Sequence, residues 1–499
     1  MKKIFFIACL ISSITAHAQT ATECAVDKYF ATIKKDPAKL NLFLKTMPKG
    51  GDLHNHLGGA GLAENLIHYA KNDPFFINYR TFSVVMNATA CSAITLKNLT
   101  LYPTLYNATI DAWSMRNFYP KKESGHDHFF AAFDKYNPLA RRHSGEILNE
   151  VVKGAREQNI LYLELMITPD HDASGMLGGR IGWNPDLARL RKVLLEHGLK
   201  NTVLDMSKQL DATEATLHCA FMCKTPKENL GRDVKVRYLY QVFREQPAVQ
   251  VFAQLLAGFE LASRDARVLG INIVQAEDGK IATRDYTLHM CMIRFLRHLY
   301  PKVHVSLHAG ELVPGLVPAN DLRFHIREAL NIAQADRIGH GVDIRHEDDM
   351  EELLKKMAEK HVLVEINLSS NEAILNVKGK THPILLYMRH RVPVALSTDD
   401  AGVLRTNLTE EYRKAVLNYH FSYSTLKMLV RNSINYSFVP GNSLWKDHQY
   451  HWLVPVCATS LGSSFVSIQC QNFLKTSEKA RLQWTLENQF LTFERKAMA

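Results

Sequence analysis

Eight segments, most of them apolar, each short enough for a strand and separated by helical stretches, constrain this chain more than any other feature. They lie at 52–57, 161–167, 234–242, 268–274, 303–308, 337–340, 362–368 and 392–397. From Ser144 onward they alternate with helical segments at 145–157, 185–197, 248–263, 284–299, 320–333, 348–359 and 383–389. Near-continuous apolar strands are buried on both faces. Parallel strands also need a crossover, usually a helix, to bring the chain back to the same end of the sheet. Eight such units predict an α/β fold, a closed (β/α)8 TIM barrel. Barrels of this kind carry their reactive groups at the C-terminal ends of the strands.

The remaining sequence predicts extensions to that barrel. Lys2-Lys3, an apolar run at 4–14 and Ala16-His17-Ala18 read as a signal peptide over 1–18. The mature chain is therefore expected to be exported, to a periplasm or beyond. An N-terminal helical extension occupies 19–47, with one helical segment at 24–47. The barrel spans 48–444 and has an insertion at about 73–125, rich in Asn, Thr and Tyr, with no clean period. Two more helices are expected at 410–421 and 424–436. A C-terminal extension, 445–499, begins as an irregular aromatic tail and ends in a helix at 477–495.

Composition excludes some classes. The net charge is +10, or +8 once Lys2 and Lys3 leave, and no Lys/Arg block marks a nucleic-acid footprint. No run approaches the ~20 apolar residues of a membrane span. The cysteines that remain after the leader are sparse and have no paired CxxC motifs, which argues against a structural cysteine–zinc site. An exported chain can form disulfides. Cys457 with Cys470 is the preferred pair, and Cys219 with Cys223 the second.

Polar residues fall at four of the strand ends. His54 and His56 are two apart on the first strand, so both imidazoles share a face. His308 ends the fifth strand, followed by Ala309-Gly310-Glu311. His340 ends the sixth, between Gly339 and Gly341. Asp399 and Asp400 follow the eighth, and adjacent carboxylates repel unless a cation lies near. In a barrel these ends converge. Three histidines and an aspartate are the N/O donor set of a single zinc ion with a position left open for water.

The set His54-x-His56, His308-Ala309-Gly310-Glu311, Gly339-His340-Gly341 and Ser397-Thr398-Asp399-Asp400 resembles the adenosine deaminase family of the amidohydrolase superfamily. Met47-Pro48-Lys49-Gly50, the segment 124–130 and the segment 431–438 are similar to its secreted growth-factor-like branch. The resemblance, over roughly 40–444, implies one Zn²⁺ per chain on His54, His56, His308 and Asp399. It implies hydrolytic deamination of adenosine or 2'-deoxyadenosine to inosine or 2'-deoxyinosine plus ammonia. A metal lowers the pKa of its bound water, and the resulting hydroxide would add to purine C6. Glu311 would protonate N1, His340 would orient the water, and Asp400 would help orient it and bond N7. The small-molecule partner is a purine nucleoside. The branch also implies a homodimer built on the N-terminal segment and the insertion, while charge and hydropathy imply no nucleic acid and no membrane partner after leader cleavage.

Two departures concern the substrate. The family commonly carries an aspartate shortly after the HxH pair that contacts the sugar. Here Leu57-Gly58-Gly59-Ala60 follows. The family glycine after the fourth strand is Gln275, while Glu277 matches the family pattern. Gln275, Glu277, Asp400 and Trp113 are the expected substrate-side residues, with Phe129 and Phe133 beside Trp113. Two alternatives stand beside the nucleoside: a related amidohydrolase acting on adenine, a modified adenosine or another amine, and a secreted binding or signalling protein without catalysis.

Overall fold

The computed structural model describes residues 21–87, 92–120, 123–222, 234–463 and 465–498. The expected leader and the expected pairing of Cys219 with Cys223 lie outside the described residues. Eight parallel strands follow one another in chain order around a nearly closed barrel: β1 Gly50–His56, β2 Ile160–Ile167, β3 Lys235–Phe243, β4 Val268–Val274, β5 His304–Ala309, β6 Arg337–His340, β7 Leu363–Ile366 and β8 Val394–Leu396. Each corresponds to one of the eight strand-length segments read from the sequence. The mouth is drawn shut by a parallel bridge between Asn55 and Asp399, with Asp399 N–H donating to the His54 carbonyl at 2.8 Å.

Apolar burial explains why the strands and their helices hold together. β2 is buried at every residue but its last. The helix Ala248–Ala262 is buried from Val251 to Leu261 because the helices Ala173–Ile181 and Tyr286–Leu299 flank it. An element covered this way loses the polar stripe of a surface helix, and its sequence shows almost none.

The extensions depart from the sequence reading in detail. The single helix expected at 24–47 is two, Ala21–Ile33 and Pro37–Thr46. Pro37 cannot continue a helix, but it suits a first turn. The Asp36 carboxylate caps that turn, accepting from the N–H groups of Ala38 and Lys39 at 3.0 and 3.1 Å. Both helices pack on the final helix, Glu478–Met498, with the Phe43 ring 4.8 Å from Phe30 and 4.9 Å from Phe493. The insertion has structure of its own: a small antiparallel sheet of Phe76–Asn78, Val84–Val85 and Ala93–Thr95, then the helix Pro103–Ala112.

After it the helix Gly125–Arg142 runs across the barrel mouth, capped by Ser124, whose hydroxyl accepts Asp127 N–H at 2.9 Å. The helix expected at 185–197 reaches Leu194, turns at Gly198 (φ 120°) and continues as Lys200–Met222. In the tail a disulfide joins Cys457 to Cys470, and a helix occupies Ile468–Thr476. Among the described residues no helix is long and apolar enough to cross a membrane.

Candidate active site

The strand ends converge as the spacing predicted. Nε2 of His308 lies 3.1 Å from Nε2 of His54 and 3.2 Å from Nε2 of His56. Asp399 Oδ1 is 3.2 Å from His56 Nε2 and 3.7 Å from His54 Nε2. In a tetrahedral zinc site with bonds of about 2.0–2.1 Å, neighbouring ligand atoms sit about 3.3 Å apart.

The chemistry of these donors calls for a cation. Each ring's other nitrogen has its own acceptor: His54 Nδ1 on Glu365 Oε2 at 2.7 Å, His56 Nδ1 on Gln241 Oε1 at 3.0 Å, and His308 Nδ1 on Asn272 Oδ1 at 2.8 Å. With the protons on Nδ1, three Nε2 lone pairs and a carboxylate face one point, and no hydrogen bond can satisfy lone pair against lone pair. Charge balance gives the same answer. Burial opposes a charge on His56, but Asp400 and Asp399 outweigh it and push that imidazole up to about 10. A bound metal would replace that proton. The residues fit a single metal ion.

Glu365, Asn272 and Gln241 are functional residues that the sequence reading missed. The only signal for Glu365 and Asn272 is one polar side chain inside an otherwise apolar strand, while Gln241 shares β3 with Lys235 and Arg237 and stands out even less. Glu365 is itself anchored. It accepts from Ser306 Oγ at 2.8 Å and from Arg337 Nε at 2.6 Å, and Arg337 reaches Glu164 at 2.6 Å. The guanidinium also stacks on Phe438, 3.7 Å from the ring centre. A buried ionic network thus runs up the barrel interior to His54.

Glu311 lies beside the donor set, its Oε1 3.4 Å from His340 Nδ1 and without a hydrogen-bond partner among the described residues. Burial first, then the carboxylates of Asp399 and Glu277, push its carboxyl well above the usual range, which favours the acid form. The two neighbouring aspartates are driven apart. Burial opposes the Asp399 charge, but His56 and the other histidines hold its carboxyl far below the usual range. Burial raises Asp400 well above it. His340 is kept neutral, lowered to about 3, chiefly by burial.

Three residues here take left-handed backbone: His340 (φ 67°), Asp399 (φ 59°) and Gln275 (φ 79°). Non-glycine residues rarely adopt it, and such strain concentrates at functional sites. Gln275 is held there as its Oε1 accepts Glu245 N–H at 2.9 Å.

A cavity of about 380 Å³ opens onto the site. His56, Gly58, Phe129, Phe133, Gln275, Glu311 and Asp400 line it. Two of the expected substrate-side residues do not. Trp113 is buried behind the wall, its indole N–H on the Phe82 carbonyl at 2.7 Å and its ring 5.8 Å from Tyr136. Glu277 sits beneath the His308–Glu311 turn. Its carboxylate accepts the N–H groups of Gly310 and Glu311 at 3.0 and 2.8 Å and pairs with His325 Nδ1 at 2.6 Å. Burial alone would raise it, but the bond to His325 holds it below the usual range. Glu277 positions the turn and does not face the cavity.

Fold and site together define a (β/α)8 barrel with a candidate single-metal centre of three histidines and one aspartate at its mouth. A sequence model described as adenosine deaminase matches residues 104–445, more than half of the chain. The chain belongs to the adenosine deaminase family. It is 30% identical over 138 residues to the adenosine deaminase of Plasmodium knowlesi, covering 28% of this chain and 36% of that protein. The matched stretch thus spans little more than a third of the first curated relatives. The fold is similar to that of the N6-mAMP deaminase from Arabidopsis (TM-score 0.53, 19% identity, 80% of this chain and 96% of that one). It is also similar to an amidohydrolase from Burkholderia ambifaria with bound Zn (TM-score 0.52, 17% identity, 80% and 88%).

Proposed function

We propose that this chain hydrolyses the 6-amino group of adenosine or 2'-deoxyadenosine, taking up water and releasing ammonia and the 6-oxo nucleoside. One observation carries the reading: Glu311, a buried carboxyl, shares a cavity with a complete metal-type donor set.

His54, His56, His308 and Asp399 would hold one zinc ion, which when bound supplies Lewis acidity and makes water nucleophilic at neutral pH. The chain's own groups do the rest. Glu311 delivers its proton to purine N1, cancelling the negative charge that builds on the ring as C6 is attacked. Asp400, whose carboxyl burial raises, donates to N7 in its protonated form, since N7 can only accept. His340 orients the incoming oxygen. The aromatic wall of Phe129 and Phe133 excludes water from the purine faces.

A second reading, a modified adenosine or another amine, is favoured by Gly58 on the cavity wall, a position that offers no side chain of its own to a sugar. Ammonia release across adenosine, 2'-deoxyadenosine, adenine and N6-substituted adenosines decides between them. The first reading fails if both unmodified nucleosides are inert while another amine turns over. A non-catalytic role would require all of them to be inert in zinc-loaded protein. We also propose export as the setting, supported by the leader-like start of the sequence and by the disulfide in the tail.

A further inference from the structure

His340 can serve the reaction as a base or as a donor, and its proton position decides which. A chain of buried groups sets that position. It begins at a donor of certain identity, the backbone N–H of Ile384, which bonds His382 Nδ1 at 3.1 Å. Nδ1 of His382 must therefore be the lone pair, and the proton sits on Nε2. That Nε2 lies 3.0 Å from Asn371 Oδ1, so the Asn371 amide is oriented with its oxygen toward His382. Its Nδ2 then points at His340 Nδ1, 2.9 Å away. Nδ1 of His340 must accept, which leaves the proton on Nε2, the nitrogen facing Asp399 Oδ2 at 3.8 Å. His340 and Asn371 are fully buried and His382 nearly so, and burial holds His382 neutral, lowered to about 3. No solvent competes for these bonds.

We infer that Asn371 and His382 are positioning residues that lock His340 as the Nε2–H tautomer, so that His340 acts on the reacting oxygen as a hydrogen-bond donor and not as a proton acceptor. The inference rests on the proposed deamination and deepens it. One neighbour bears on the assignment. Asn367 Nδ2 lies 3.4 Å from His340 Nε2, donor facing donor, while its own Oδ1 has no partner among the described residues. Exchanging the two amide atoms, which have the same shape, turns the Asn367 oxygen toward His340 Nε2 and removes the donor–donor contact. The lock also protects the acid. Glu311 Oε1 is 3.4 Å from His340 Nδ1, and the Asn371 N–H occupies the lone pair that would otherwise compete for the Glu311 proton.

Asn371→Asp tests this with nearly unchanged volume. An ionised aspartate can only accept, so it draws the proton to Nδ1 and turns a lone pair toward the reaction. The expected result is a loss in kcat of roughly 100-fold, the scale of removing one aimed donor, with KM within about threefold and metal content and Tm near wild type. His382→Gln keeps a donor to the Asn371 oxygen and is expected to retain most of kcat, whereas His382→Leu is not. Nitrogen-15 histidine spectra, with His340 assigned by its loss in His340→Gln, read the tautomer directly: Nε2–H in the wild type, Nδ1–H or imidazolium in Asn371→Asp. A wild-type spectrum showing Nδ1–H, or wild-type kcat in Asn371→Asp, overturns the inference. If every amine is inert, the deamination reading fails while the spectra still decide the tautomer.

Discussion

Glu365 Oε2 lies 2.7 Å from Nδ1 of His54, and both side chains are fully buried. Burial alone would keep Glu365 protonated, but the Arg337 guanidinium and His54 bring its carboxyl down to about 2. The ionised carboxylate fixes the His54 proton on Nδ1, orients the ring and makes its Nε2 more basic, which strengthens a metal ligand.

Replacing Glu365 would also leave part of the Arg337 charge uncompensated, at a cost of several kcal/mol. The cleaner test of this support is Gln241, which performs the same service for His56 from the cavity wall. Gln241→Met is expected to lower zinc affinity by about 10–100-fold with little change in melting temperature. Competition with a chelator measures it. An unchanged affinity would mean that His56 does not need its outer partner.

Glu311 gives the kinetic prediction. Glu311→Gln keeps shape and removes the transferable proton, so kcat is expected to fall on the order of 10²–10⁴-fold while zinc content and fold persist. The pH dependence has a definite sign. The active form is protonated and its carboxyl is raised, so turnover persists through neutral pH and declines on the alkaline side as that proton is lost. Steady-state kinetics from pH 5 to 10 check both. Near-normal turnover in the variant would remove Glu311 from the acid role.

Glu411 gives a stability prediction away from the metal. It is buried, accepts from Ser369 N–H at 3.0 Å and Thr406 Oγ1 at 2.8 Å, and burial raises it from 4.5 to about 7. The folded state therefore keeps this proton to higher pH than the unfolded chain. Between pH 4.5 and 7 the folded form binds more protons, so stability falls as pH rises, by up to about 1.4 kcal/mol per pH unit for one group. Glu411→Gln is expected to flatten that slope in urea unfolding at pH 5, 6 and 7. Identical slopes in the two proteins would show that Glu411 ionises normally when folded.

What was legible in the sequence follows the physics of each element. The eight strands could be read because two-sided burial makes whole segments apolar, as at 161–167. His54, His56, His308, His340 and Asp399 could be placed because a barrel brings all its strand ends to one mouth. The supports could not. Asn272 in Leu269-Gly270-Ile271-Asn272-Ile273 shows only that a buried polar group needs some partner, and that partner, His308, is on another strand. The helix Gly125–Arg142 was missed, and Pro138 within it argues locally against a helix. Trp113 was misplaced because aromatic character says nothing about which side of a wall a ring occupies.

Under the proposed deamination, two neighbouring glycines of opposite freedom test the choice of substrate. A Cβ at Gly59 would stand 1.7 Å from Asp400 Oδ1, so that position must stay bare for the carboxyl to approach β1. A Cβ at Gly58 meets nothing within 4 Å, and Gly58 lines the cavity. A Cβ there is accommodated without repacking, and under the proposed deamination an aspartate at this position of the cavity wall would offer a sugar hydroxyl an acceptor. Gly58→Asp is therefore expected to lower KM for adenosine by about tenfold, the worth of one hydrogen bond to a charged group, with kcat and melting temperature little changed. Adenine, which has no ribose, should gain nothing. Parallel kinetics on adenosine and adenine separate the outcomes. A gain for both would mean that the new charge acts on the base, and a gain for neither would place the sugar away from β1 and favour a substrate other than an unmodified nucleoside.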